Sequence, residues 1–180
     1  MKSWKETVKD IKLDFKFFNH KSNFKGFIIT LFFDLTFQML LQYRLFHYFS
    51  QWRGLGFLAL PLIYSQKIFT GCYIHPGVEL GHKINFPHPT GIVIGQNTKI
   101  GNGVTIFQGV TLGCVGKPNS PQCDYPIIED NAIIYANAII IGGIHVGKNS
   151  IVGAGSVVLI DVPSDVIVAG NPAHLIRKLE

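Results

Sequence analysis

Residues 92–112 read IVIGQNTKIGNGVTIFQGVTL, and an aliphatic side chain returns every six positions, at Ile94, Ile100, Ile106 and Leu112. A small or β-branched residue follows four places later at Thr98, Val104 and Val110, and Gly stands at 95, 101 and 113. A period of six fits neither the 3.6 of a helix nor a simple strand-and-turn hairpin spacing. It is the spacing of a hexapeptide β-helix, in which each hexad is a short strand and a tight turn. The aliphatic residue points inward and stacks on its equivalents, while Gly and Asn supply the turn dihedrals. Outward from this stretch the pattern runs back through Leu80 and Ile74 and on through Ile128, Ile134, Ile140, Val146, Val152 and Val158.

Two phase breaks interrupt it. Leu80 to Ile94 is two hexads plus two positions, across Phe86-Pro87-His88-Pro89-Thr90-Gly91. Leu112 to Ile128 reads as two hexads plus four, across 113–126. A solenoid accepts insertions only as loops leaving its wall, and such loops commonly carry function.

The chain has 180 residues, 47% apolar and 15% charged, with 14 Phe, too much apolar material for a disordered chain. Three cysteines, an odd number without a CxxC pair, argue against a disulfide framework and against zinc. The formal net charge of +5 is confined to residues 1–53, and twelve Phe precede residue 70. This composition shift predicts two parts: 1–70, α-helical, basic and Phe-rich, and 71–180, the β-helix.

Within the first part, Asp34, Gln38 and Gln42 recur every four positions, which predicts a polar line along one helix. Asp34 and Arg44 interrupt the apolar stretch, so a membrane span is not expected. Either the helices pack on one another or on a second subunit, or the Lys- and Phe-rich face lies on an anionic membrane. Nucleic acid is not expected, because no recognisable basic module is present.

The stretches Ile74-His75-Pro76, His88-Pro89-Thr90-Gly91, Gly109-Val110-Thr111-Leu112-Gly113 and Gly153-Ala154-Gly155-Ser156 resemble the hexapeptide-repeat acyltransferases, in particular the serine O-acetyltransferase branch. Gln42-Tyr43-Arg44-Leu45-Phe46-His47 resembles the helix before the β-helix in that branch, and Gly170-Asn171-Pro172-Ala173 its closing segment. The resemblance covers about residues 38–178. It implies a left-handed parallel β-helix, assembled as a homotrimer or a dimer of trimers, that binds acetyl-CoA as co-substrate between subunits and needs no metal. It implies His88 as the general base, a role its chemistry supports: a neutral imidazole can take the proton of an alcohol as it attacks a thioester.

Other residues expected in serine acetyltransferases are replaced. Tyr73 stands for an Asp that orients the base, Pro87 for an Asp that holds serine, and Asp124 and Tyr125 for an Arg-His pair. With these departures the chain resembles more the acetyltransferases of bacterial surface-polysaccharide synthesis, including the colanic-acid type, and that resemblance implies a sugar hydroxyl as acceptor, with serine O-acetylation and a non-catalytic scaffold as alternatives. The resemblance then also suggests a cytoplasmic enzyme with residues 1–53 on the inner face of the membrane. The expected acceptor-side residues are His75, Tyr73 and Asp124. By position in the family, Cys114, Ala136 and Ala154 meet the pantetheine arm, and Lys178 or Arg177 the CoA phosphates. His75, His82 and His88 lack the spacing of a β-helical metal site.

Overall fold

The computed structural model describes residues 2–19, 24–52, 54–116 and 123–179. The chain divides into two compact units, Met1–Gly71 and Cys72–Glu180.

The first unit is helical: α1 (Trp4–Phe18), α2 (Phe24–Phe33), α3 (Leu35–Ser50), a 3-10 turn (Gly56–Leu58) and α4 (Ala59–Thr70). Helix α1 begins in a reciprocal cap, the Glu6 amide donating to Ser3 Oγ (3.3 Å) and the Ser3 amide to Glu6 Oε2 (2.7 Å). The single polar line expected through Asp34 is instead a helix boundary. Asp34 caps α3, its carboxylate accepting from the Phe37 amide at 2.9 Å, and α2 and α3 meet at a 70° bend. The period of four is present, but a short polar side chain that satisfies a free amide favours a cap over a helix interior. No single described helix is long and apolar enough to cross a membrane. Helix α3 buries Phe37, Met39, Leu40, Tyr43 and Phe46, together with Arg44, whose Nε donates to Asp14 of α1 at 2.9 Å. Helix α4 closes at Gly71, whose φ of +65° is the left-handed C-cap conformation.

The second unit is a left-handed parallel β-helix of three faces. Face A stacks Tyr73–Ile74, Val93–Ile94, Thr111–Gly113, Ile139–Ile141 and Val157–Val158. Face B stacks Glu79–Leu80, Lys99–Ile100, Ile127–Ile128 and His145–Val146. Face C stacks Thr105–Ile106, Ile133–Ile134, Ile151–Val152 and Val166–Gly170, with the antiparallel Ala173–Lys178 at its edge. The aliphatic series faces inward and is buried throughout. Amides bond from coil to coil, as Val93 N–H to Val110 C=O (2.9 Å) and Thr111 N–H to Ala138 C=O (3.0 Å).

Register measures each coil. On face A, Ile74 pairs with Ile94, Ile94 with Leu112, Leu112 with Ile140, and Ile140 with Val158. The second and fourth of these steps are three hexads long, the plain coil. The first step is two positions longer, which accounts for the first break. The third step is ten positions longer, and this corrects the sequence reading: Leu112 (face A) and Ile128 (face B) are neighbours along the coil, so one hexad carries ten extra positions. The spacing from Leu112 to Ile128 satisfies either count, and only strand pairing decides between them.

Candidate active site

The three faces meet at corners, and the candidate residues divide between two of them. His88 lies where face C turns into face A, just after buried Phe86 and before Val93 of face A. The insertion closes on itself, with the Thr90 amide donating to the His88 carbonyl at 2.8 Å, and Pro89 is buried beneath it. It returns to the wall at Gly91, whose φ of +66° continues a column of left-handed residues, Gly109 (+69°), Asn137 (+59°) and Gly155 (+66°). A β-branched residue at 91 could not enter that conformation without strain. The loop is thus anchored at its exit while His88 itself stays exposed.

The same corner carries aromatic side chains that the sequence reading did not select. The Phe107 ring lies 6.3 Å from the His88 ring and stacks on Tyr135 at 4.9 Å, with 24° between planes. Phe107 and Tyr135 hold equivalent places on neighbouring coils, each just past a face C strand of the pair Thr105–Ile106 and Ile133–Ile134. Counting the second loop as four extra positions puts Tyr135 on a different corner, and that miscount hid the pair. Past the aromatic stack the corner narrows to small side chains, Ala136 and then Gly153-Ala154 on successive coils. A thin flexible chain can lie along such a wall without displacing a side chain.

The other corner, where face A turns into face B, holds Tyr73, His75, Cys114, Asp124 and Tyr125. His75 Nδ1 accepts from the Gly77 amide at 2.9 Å, which leaves the ring proton on Nε2. Burial holds this imidazole below the ordinary histidine pKa of 6.5, so it is neutral at neutral pH. The Tyr73 ring meets it edge-on at 6.2 Å, and burial, with the nearby Tyr125 phenol, pushes the Tyr73 phenol above 10. The second loop rejoins the wall by packing against glycines: a side chain at Gly95 would strike the Tyr125 ring, and one at Gly143 would meet Asp124 Cβ at 2.9 Å.

Cys114 and Cys123 form a disulfide between the two ends of this loop, with Cα atoms 5.4 Å apart. This corrects the expectation drawn from cysteine count, since the two ends of a loop inserted into one hexad must lie side by side. The expected pantetheine contact at Cys114 therefore presents a disulfide sulfur. Cys72 is buried outside the disulfide, its Sγ accepting from the Ile92 amide at 3.4 Å.

His88 and Tyr73 do not meet within one chain. His88 precedes the face A strand of its coil, whereas His75, Gly95 and Tyr125 follow theirs, so the two groups occupy opposite ends of face A. Lys178 and Arg177 are exposed on the edge strand of face C, paired with Val166 and Ile167. Among the described residues, no cluster of three or more His, Cys, Asp or Glu is arranged to hold a metal.

Repeated hexads, a corner-borne histidine and a small-residue wall define a hexapeptide-repeat transferase. Residues 125–159 match the family model described as "Bacterial transferase hexapeptide (six repeats)", and residues 90–113 the one described as "Hexapeptide repeat of succinyl-transferase". A serine acetyltransferase of Bacillus subtilis is 45% identical over 124 residues, 69% of this chain and 56% of that protein. The crystal structure of Neisseria gonorrhoeae serine acetyltransferase superposes with a TM-score of 0.84 at 33% identity, covering 98% of this chain and 67% of that one. A serine acetyltransferase solved as a complex with CoA superposes at 0.81 with 32% identity, covering 96% and 71%. The chain belongs to the serine acetyltransferase family. It spans little more than half the length of the Bacillus relatives it matches.

This overturns the sugar-hydroxyl acceptor. Relatives at 41–45% identity and the solved neighbours alike are serine acetyltransferases. The replacements at Tyr73, Pro87 and Asp124 remove particular side chains, and losing a ligand does not in itself specify a different acceptor.

Proposed function

We propose that the protein is an acetyl-CoA-dependent serine O-acetyltransferase. The observation that carries the reading is His88, exposed on an anchored corner beside a narrow wall of Ala136, Gly153 and Ala154. The neutral imidazole takes the proton of the serine hydroxyl as that oxygen attacks the thioester carbonyl of acetyl-CoA. Collapse of the tetrahedral adduct breaks the C–S bond, and the imidazolium returns the proton to the departing thiolate. Direct transfer needs no covalent enzyme intermediate and no metal.

The acceptor side falls to the other corner. Asp124 offers a carboxylate for the substrate ammonium, and the Nε2–H of His75 a donor for its carboxylate. Tyr73 and Tyr125 supply phenols in the places where the family carries an acid and a histidine. Because the two corners lie at opposite ends of face A, a complete site requires a second subunit to set its acceptor corner against the His88 corner. This supports the homotrimer, with acetyl-CoA between subunits and Lys178 as a candidate for its phosphates. The peripheral membrane contact expected for residues 1–53 stands as a separate proposal and rests on the N-terminal helices, not on this site.

The test is release of free CoA thiol from acetyl-CoA with L-serine. Turnover is expected for the wild type and a loss of about 10²–10⁴-fold for His88→Ala, the usual contribution of a positioned base. Absence of turnover with serine, or an unchanged rate in the variant, would overturn the assignment.

A further inference from the structure

Helix α2 is built inside out. The residues it buries are Gly26 and Thr30, while Phe24 (80% exposed), Phe33 (73%), Phe32 (61%) and Ile29 (47%) stand outward. A helix of a water-soluble core does the reverse. Small residues inward and bulky apolar ones outward is the arrangement used where the surroundings are themselves apolar.

Helix α1 touches α2 through Phe15 and Phe27, whose rings are 5.4 Å apart, and it carries Lys5, Lys9, Lys12 and Lys16, all exposed. At 100° per residue these four fall within an arc of about 60°, and at 1.5 Å per residue they extend over about 16 Å. With Val8 and Leu13 they line one open hollow. The acids of α1 are engaged elsewhere: Glu6 in the helix cap, Asp10 with Lys2 at 2.6 Å, and Asp14 with Arg44. Like charges one helical turn apart weaken a helix, so a single-sign stripe on a helix whose acids are engaged elsewhere calls for an anionic partner.

We infer that α1 and α2 together form a docking surface for an anionic lipid bilayer. Charge selects the occupant. A second copy paired about a two-fold axis would set lysines against lysines. An acidic protein or a nucleic acid would satisfy the lysines and leave the α2 phenylalanines in water. A bilayer offers phosphate to α1 and acyl chains to α2. At its length α2 extends about 15 Å, half the thickness of the hydrocarbon layer, so it lies in the interface and does not cross.

The experiment is co-sedimentation of the full chain with vesicles of phosphatidylcholine alone or mixed with phosphatidylglycerol. Binding is expected with the anionic vesicles only, and it falls as salt is raised. Each lysine contributes about fivefold in partition, so replacing all four by Gln lowers it by roughly six-hundredfold. Glutamine keeps the helix propensity of lysine, and the salt titration tests the same charge dependence without any substitution. Replacing Phe24, Phe32 and Phe33 by Ser weakens binding and leaves the size of the assembly unchanged. Failure of the wild type to sediment, equal partition of the Lys variant, or a smaller assembly for the Phe variant would each overturn the inference. So would binding of a DNA duplex as tight as that of the vesicles.

Discussion

Asp14→Ala removes the carboxylate that receives Arg44 Nε at 2.9 Å, where the two side chains are 1% and 3% exposed. The guanidinium would then stay buried without the carboxylate that its Nε meets. Breaking a buried pair from one side costs about 3–5 kcal/mol, against about 0–1 kcal/mol for a pair on the surface. Domain stabilities are only about 5–15 kcal/mol, so this would remove a large part of what holds α1 to α3. Both tryptophans, Trp4 and Trp52, belong to the helical unit, and the Trp4 ring lies 5.3 Å from Tyr48. Tryptophan emission during urea unfolding therefore reports on this unit alone. We expect the midpoint of that transition to fall by the equivalent of about 3–5 kcal/mol in Asp14→Ala. Most of it should return in Asp14→Leu with Arg44→Met, since removing both charges relieves the desolvation penalty. A cost below about 1 kcal/mol, the range of an exposed pair, or a double variant worse than the single one, would refute the reasoning.

Two further outcomes follow from the acceptor corner. Gly95→Ala should cost about 1–3 kcal/mol, because the new methyl meets the Tyr125 ring, and most of the cost should disappear when Tyr125 is also Ala, leaving the contact with the Leu112 carbonyl at 3.2 Å; equal costs in both backgrounds would show that the ring is not the obstacle. His75 is held neutral in the fold, with its pKa below 6.5, so the unfolded chain binds a proton that the native one refuses. Its contribution is present above pH 6.5 and is lost as pH falls below it. His75→Asn keeps an acceptor for the Gly77 amide and should flatten the dependence of melting temperature on pH in that range; an unchanged slope would exclude this histidine as the cause.

What could be read in advance follows from what a hexad encodes. The inward aliphatic position is repeated at each strand, so the β-helix was visible from Ile74 onward. His88 stood out because a solenoid marks every insertion by a phase break. The departures at Tyr73, Asp124 and Tyr125 were visible as well, but they misled about the acceptor, because absent side chains carry no information on what takes their place. Phe107 and Tyr135 were visible singly and not as a pair, since their stacking depends on the length of a loop between them.

The period, the inward face of every strand, the histidine-bearing break and the concentration of positive charge in residues 1–53 were all legible before any coordinates. These are local properties, each written in the identity and spacing of nearby residues. Folding in three dimensions settled that the second loop belongs to a single hexad, that Cys114 meets Cys123, and that His88 and His75 stand at opposite ends of one face. It also settled that Asp34 ends a helix run, that Asp14 of α1 neutralises Arg44 of α3, and that α2 turns its phenylalanines outward. Each of these depends on which segments become neighbours. A period leaves that undetermined, because the interval from Leu112 to Ile128 has the same phase whether it is counted as two hexads and four or as one hexad and ten.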